Sequence, residues 1–177
     1  MKKCKCVFFD RDGIVNKVPT PELYITNWKD FHLMPEFVDA LRITQSHGYK
    51  AIIVSNQRAV AKGLISISEI EDMHRRLREI LSRKFKLHLD DIIYCPHNPG
   101  ECSCRKPQPG MLLNMAEKHN IELSSSWMIG DMETDVEAGI RAGCHTILVG
   151  RLSANSKAEQ TVSSMEQLPS LLESVLL

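Results

Sequence analysis

Residues 4–13 read CKCVFFDRDG, and the fold turns on how this stretch ends. An apolar run from Cys4 to Phe9 has the composition of a buried strand and stops abruptly at Asp10, Asp12 and Gly13. In an open α/β sheet that position is the carboxyl end of a strand, the side on which such sheets place their ligands. The rest of the chain repeats the arrangement. Short apolar runs at 50–54, 91–94, 127–129 and 146–149 alternate with longer helical stretches, the mark of a parallel sheet covered by helices. The expected fold is therefore α/β, a Rossmann-like three-layer sandwich around a central parallel sheet.

Local signals set the helix limits. Pro35 suits the first turn of a helix that Gly48 stops, and Ser66 with Glu69 forms a capping box for a helix reaching about Lys86. Pro109 opens a helix whose Met111, Leu112 and Met115 face the sheet, so buried packing explains these methionines better than a cofactor role. A helix over 133–142 precedes the last central strand, and a final helix follows the capping pair Ser164 and Gln167. The segment 152–164 is rich in Ser, Ala, Asn and Lys with no apolar period, so we expect a mobile connection. At 177 residues the chain can enclose one core, and we expect a single domain over 1–177. Helix and strand already fill 12–55 and 55–106, which leaves no room for a cap domain. The site should be open, rimmed by 16–30, 57–64 and the cysteine-bearing loop.

Lysine plus arginine and aspartate plus glutamate both count 22, so there is no basic excess for nucleic acid or an anionic membrane. An anionic ligand must be held locally. No apolar stretch approaches the roughly 18 to 20 residues needed to cross a bilayer, and Asp10 interrupts the only apolar run near the start. The expectation is a cytoplasmic monomer. In a reducing compartment its six cysteines are thiols or metal ligands rather than a disulfide framework.

Four polar clusters follow strands or precede helices: Asp10 with Asp12, Ser55 with Asn56, Lys106, and Asp131 with Asp135. Taken singly, each is a turn, a helix cap or a solvated lysine. On one rim of a parallel sheet they form a set. A carboxylate attacking a phosphate dianion meets repulsion of several kcal/mol, so it needs a cation and further donors on the transferring group. Magnesium accepts one or two carboxylates together with phosphate and water, which suits Asp10 and Asp131. A second metal signal is independent of the first. Cys95, His97, Cys102 and Cys104 follow a C-x-H-x4-C-x-C pattern, three thiolates and an imidazole that zinc accepts tetrahedrally. Pro96, Pro99 and Gly100 allow the loop 95–104 to fold back, and four protein ligands make the zinc structural. This loop runs directly into Arg105 and Lys106. Cys4, Cys6 and Cys144 read as packed thiols.

FFDRDG, VSNQ, RKP and IGDMETD occur in an order that resembles the haloacid dehalogenase phosphatases over roughly residues 5–150. The resemblance implies Asp10 as a nucleophile forming an aspartyl-phosphate, and Asp12 as the acid that protonates the leaving oxygen and then activates water. It implies that Ser55 hydrogen-bonds the phosphoryl oxygens, beside Asn56, and that Lys106 neutralises charge. Magnesium would be held by Asp10, Asp12 and Asp131, with Asp135 supporting the site from its edge. Gly13 and the backbone amide of Arg11 would let main-chain N–H groups approach the phosphate. CPHNPGECSCRKPQPGM and YITNWKDFHLMP are similar to the subgroup of heptose bisphosphate phosphatases and histidinol-phosphate phosphatase domains, in which Arg105 would grip substrate. Ile14, Arg58, Ala59 and Met132 depart from the residues usual there. The implied substrate is a sugar bisphosphate, D-glycero-D-manno-heptose 1,7-bisphosphate losing its C7 phosphate for surface-glycan synthesis. Histidinol phosphate, a nucleic-acid 3′-phosphate and a silent zinc-stabilised binding module stand as alternatives.

Overall fold

A computed structural model describes residues 3–18, 20, 24–150 and 155–176. Its first strand, β1 (Cys6–Phe9), is buried along its whole length, as a strand with helices on both faces must be. Successive side chains alternate between two cores. Val7 and Phe9 join one with Phe37, Leu41, Ile70, Leu77 and Leu168, while Cys6 and Phe8 join the other with Leu112, Met128 and Ala138.

Five more strands complete the sheet: β2 (Lys50–Asn56), β3 (Asp91–Cys95), β4 (Trp127–Gly130), β5 (His145–Val149) and β6 (Gln160–Val162). The order is β3-β2-β1-β4-β5-β6 and every pairing is parallel. The chain moves outward from β1 to β3, then returns to the opposite side of β1. That reversal makes a topological switch point between β1 and β4. Phe9 lies opposite Ile129, and the Asp10 N–H donates to the Ile129 carbonyl at 2.8 Å, so Asp10 and Asp131 leave the sheet side by side.

Helices α1 (Pro35–Ser46), α3 (Ile67–Ile80) and α6 (Leu168–Val175) pack on the first core, and α4 (Gly110–His119) with α5 (Glu133–Ala142) on the second; a short α2 (Arg58–Ala61) follows β2. Pro35 stands in the first turn of α1 as expected. The capping box of α3 is formed, the Ser66 Oγ accepting from the Glu69 N–H at 3.2 Å and the Glu69 Oε2 from the Ser66 N–H at 2.8 Å. Beyond α3 a wider turn, Leu81–Phe85, carries the chain to Lys86. Among the described residues there is only a 3-10 turn and α1 between β1 and β2, and only α2, α3 and this wider turn between β2 and β3. No cap domain is inserted among the described residues.

Three expectations change. The segment 152–164 contains β6, which pairs with β5 through Val149 and Val162; residues 151–154 lie outside the described residues. Ser164 makes no side-chain cap; instead Gln167 Oε1 accepts from the Ser163 N–H and hydroxyl, both at 2.9 Å, ahead of α6. α2 occupies a stretch read only as rim loop. Of the expected rim 16–30, residues 19 and 21–23 lie outside the described residues. Among the described residues no helix is long and apolar enough to cross a membrane.

Candidate active site

The switch point opens into a cavity of about 1000 Å³ lined by Asp10, Asp12, Gly13, Ser55, Asn56, Arg105, Lys106, Asp131 and Asp135, with Lys17, Tyr24, Met34 and Met132 farther out. Three carboxylates meet in it. Asp10 follows β1, Asp131 follows β4, and Asp135 stands in the first turn of α5, with ligand oxygens within 4.8 Å of one another. Two glycines permit this approach. A Cβ on Gly13 would lie 2.3 Å from the Asp131 Oδ2, and one on Gly130 would lie 2.2 Å from the Asp135 Oδ2.

Lys106 is 3% exposed and its Nζ donates to Asp10 Oδ1 at 2.7 Å and to the Val54 carbonyl at 2.8 Å, with Asp135 Oδ1 at 2.6 Å. Burial works against the ammonium, but the Asp10 and Asp135 carboxylates outweigh it and hold its pKa above the ordinary lysine value. The Asp10 carboxyl is pushed well up. Burial is the largest cause, Lys106 opposes it, and the Asp135 and Asp131 charges add to it. Lys106 pairs with two of these three carboxylates, Asp10 and Asp135, and the Asp135 and Asp131 charges still press on Asp10. A divalent cation would favour the ionised Asp10, so this oxygen donor set fits magnesium.

Asp12 stands apart from this cluster. Of the expected magnesium ligands it is the one whose carboxylate does not join the other three, whereas Asp135, expected at the edge, is a full member by distance. The Asp12 carboxylate accepts from Arg11 Nε and Nη2, from Asn16 Nδ2 at 3.0 Å and from Gln57 Nε2 at 2.8 Å. Burial alone would raise its pKa, but the Arg11 charge and these donors outweigh it and hold the carboxyl below its usual range. Arg11 was expected to serve the phosphate through its amide. Its side chain is fully buried and points away, with Nη1 3.3 Å from His74 Nε2.

Ser55 Oγ accepts from Gln57 Nε2 at 2.6 Å. Asn56, a binding candidate, brackets the backbone of Lys106: its Nδ2 donates to the Lys106 carbonyl and its Oδ1 accepts from the Lys106 N–H, both at 3.0 Å. Asn16 and Gln57 are the polar groups sequence reasoning missed. Neither lies in a period or a metal-ligand spacing, and VSNQ carried the only hint of Gln57.

Cys95, His97, Cys102 and Cys104 also converge, with ligand atoms within 4.8 Å. Sulfur–sulfur separations are 3.4 and 3.2 Å, and His97 Nδ1 lies 3.5 Å from Cys95 Sγ and 3.7 Å from Cys104 Sγ. A tetrahedron built on Zn–S bonds of ~2.3 Å has edges of about 3.8 Å, close to this spacing. Burial and the neighbouring thiols push the Cys104 thiol up, whereas hydrogen bonds from Cys104 and its other neighbours outweigh burial and draw Cys102 down, so one thiolate forms readily and three coexist only when a cation balances them. Arg105 Nη1 donates to the His97 carbonyl at 3.2 Å, tying the cavity wall to this loop.

A family model described as HAD-hydrolase-like matches residues 103–173. A D-glycero-beta-D-manno-heptose-1,7-bisphosphate 7-phosphatase of Helicobacter pylori is 36% identical over 143 residues, 80% of this chain and 81% of its own. A D-glycero-alpha-D-manno-heptose-1,7-bisphosphate 7-phosphatase of Photorhabdus laumondii is 34% identical over 149 residues, covering 80% and 79%. The crystal structure of a D,D-heptose 1,7-bisphosphate phosphatase from B. bronchiseptica, complexed with magnesium and phosphate, has a TM-score of 0.86 over 96% of this chain and 98% of that one. At 23% identity this last likeness is one of fold.

Proposed function

The chain belongs to the D-glycero-D-manno-heptose-1,7-bisphosphate 7-phosphatase family of HAD-like hydrolases, and from that premise we propose that it removes the C7 phosphate of the heptose bisphosphate by way of a phosphoryl group carried on Asp10. The observation that carries this reading is the meeting of Asp10, Asp131 and Asp135 at ligand distance, with Lys106 on one oxygen of Asp10.

Lys106 engages Asp10 Oδ1, so Oδ2 is the oxygen that attacks phosphorus. The bond between phosphorus and the C7 oxygen breaks, and the leaving oxygen takes a proton from Asp12. Asp12 is held ionised in the free protein; a phosphate dianion arriving beside it raises its proton affinity, so it takes up a proton from solvent before the bond breaks. In the second step Asp12 takes a proton from water, whose oxygen attacks phosphorus; inorganic phosphate leaves and the Asp10 carboxylate is restored. Ser55 and the backbone N–H groups of Arg11 to Gly13 hold the phosphoryl oxygens, and Lys106 offsets charge on nucleophile and phosphate. Magnesium held by Asp10, Asp131 and Asp135 would supply charge neutralisation between nucleophile and phosphate. Since the Asp12 carboxylate faces Arg11, Asn16 and Gln57, any share it takes in the ion comes from its backbone. Zinc on Cys95, His97, Cys102 and Cys104 is structural, holding the loop from which Arg105 meets the remote phosphate. We place the protein in the cytoplasm as a monomer of one domain.

Phosphate release under magnesium from both anomers of the heptose bisphosphate, histidinol phosphate and a generic phosphate ester tests the reading on one preparation. One heptose anomer should be preferred, and Asp10→Asn should lose roughly 10⁴-fold or more. Equal turnover of all substrates would remove the heptose assignment. An unchanged rate in Asp10→Asn would remove the mechanism.

A further inference from the structure

Gln57 is 3% exposed and does not line the cavity, yet its single amide nitrogen touches two groups that do. Nε2 donates to Ser55 Oγ at 2.6 Å and to Asp12 Oδ2 at 2.8 Å, spending both of its hydrogens. A serine hydroxyl has one hydrogen and two lone pairs. With a lone pair of Ser55 taken by Gln57, the hydroxyl hydrogen is left to be donated. Ser55 is itself 1% exposed near the end of β2 and lines the cavity, where a bound phosphoryl oxygen would accept that hydrogen.

The other end of the bridge constrains Asp12. Arg11 and Asn16 bond its Oδ1, and Arg11 and the Gln57 amide bond its Oδ2, while the carboxylate still lines the cavity. The backbone of Gln57 is fixed in turn, because its N–H donates to the Cys95 carbonyl at 2.8 Å. An amide is suited to this post. A carboxylate there would repel Asp12 and would accept the serine hydrogen rather than release it, and an aliphatic side chain would leave the serine hydrogen undirected.

We propose that Gln57 is a positioning residue: by donating to Ser55 and Asp12 at once, it sets the serine hydroxyl as a donor to the phosphoryl group. The inference rests on the reading of Ser55 as a phosphoryl contact. The test is a double-mutant cycle read by binding of inorganic phosphate in the presence of magnesium, using Ser55→Ala, Gln57→Met and the pair, with folding checked by circular dichroism.

Each single change should weaken phosphate about tenfold, the scale of one hydrogen bond to a charged group, and the double variant should be little weaker than either single one. Gln57→Glu, nearly the same shape as the native residue, provides a second route if the methionine variant folds poorly, and it should weaken phosphate as well. Two outcomes overturn the proposal alone: additive losses in the double variant, or wild-type phosphate affinity in a folded Gln57→Met or Gln57→Glu protein. Ser55→Ala with wild-type affinity would overturn the assigned role of Ser55 and this proposal with it. Failure to turn over heptose bisphosphate would affect the substrate assignment only, since inorganic phosphate is the probe.

Discussion

Gly13 shows how a single missing side chain shapes the chemistry. Its φ is +95°, in the region where side chains are strained, and a Cβ would sit 2.3 Å from the Asp131 Oδ2. Gly48 is a control for the first effect without the second, with φ +75° and nothing within 4 Å of a built Cβ. Alanine at Gly48 should cost about 1 kcal/mol of stability, the penalty of the left-handed conformation, with activity unchanged. Gly13→Ala pays that penalty and also displaces Asp131 from its partners. We expect magnesium affinity to fall at least tenfold and phosphate release about a hundredfold, the range seen when groups that orient a metal are disturbed. Calorimetric magnesium titration of the two alanine variants checks this. Wild-type magnesium affinity in Gly13→Ala would contradict the tight approach of Gly13 and Asp131.

At the scale of elements, Lys106 sits on a loop that is fastened to the end of a strand. Asn56 brackets its backbone from β2, Gln57 N–H bonds Cys95, Arg58 Nε donates to Asn98 Oδ1 at 3.0 Å, and Arg105 donates to His97. The Cys/His loop is thereby fastened to the end of β2 on one side and feeds Lys106 on the other. Cys102→Ser should lose zinc and lower turnover about ten- to a hundredfold while leaving magnesium affinity nearly unchanged, since Asp10, Asp131 and Asp135 come from other segments. Metal analysis beside kinetics decides it: full turnover after verified zinc loss would detach the loop from catalysis. Much of this was readable beforehand. Strand ends marked by carboxylates and a C-x-H-x4-C-x-C spacing are local signals, so β1 to β5, the acidic cluster and the metal loop could be placed from residue order. α2 and β6 have four and three residues, too short for any period to register. The Gln57 bridge and the Asn56 bracket are contacts between separate segments, defined only once the end of β2 meets the loops that follow β1 and β3, and the turn of Asp12 toward Arg11 depends on a buried guanidinium that nothing in DRDG distinguishes from a surface one.

For the molecule as a whole, that buried guanidinium ties the cavity rim to the core, beside a buried imidazole that makes stability depend on pH. His74, on α3, is 4% exposed, lies 3.3 Å from Arg11 Nη1 and meets the Tyr94 ring edge-on at 5.5 Å. Burial first, and the Arg11 charge second, lower its pKa to about 3, with Arg78 acting in the same sense and Asp12 opposing. The imidazole is therefore neutral in the folded protein wherever it remains folded, while in the unfolded chain it takes a proton near pH 6.5. Its folded pKa lies below its unfolded one, so its contribution is complete above about pH 6.5 and is lost as pH falls toward 3. Asp12, also depressed, acts in a lower window: its contribution holds above the ordinary aspartate pKa of about 3.9 and fades only below it. Between pH 6.5 and 4.5 the imidazole thus dominates this pair, with a slope approaching about 1.4 kcal/mol per pH unit. His74→Phe keeps an aromatic ring against Tyr94 and removes the titration. Urea unfolding at pH 7.0 and 5.5 should show the wild type losing about 1.4 kcal/mol more than this variant over the interval, even if the variant starts out less stable. Equal losses in the two proteins would mean that His74 takes its proton in the folded state as readily as in water, which is incompatible with an imidazole packed against a buried arginine.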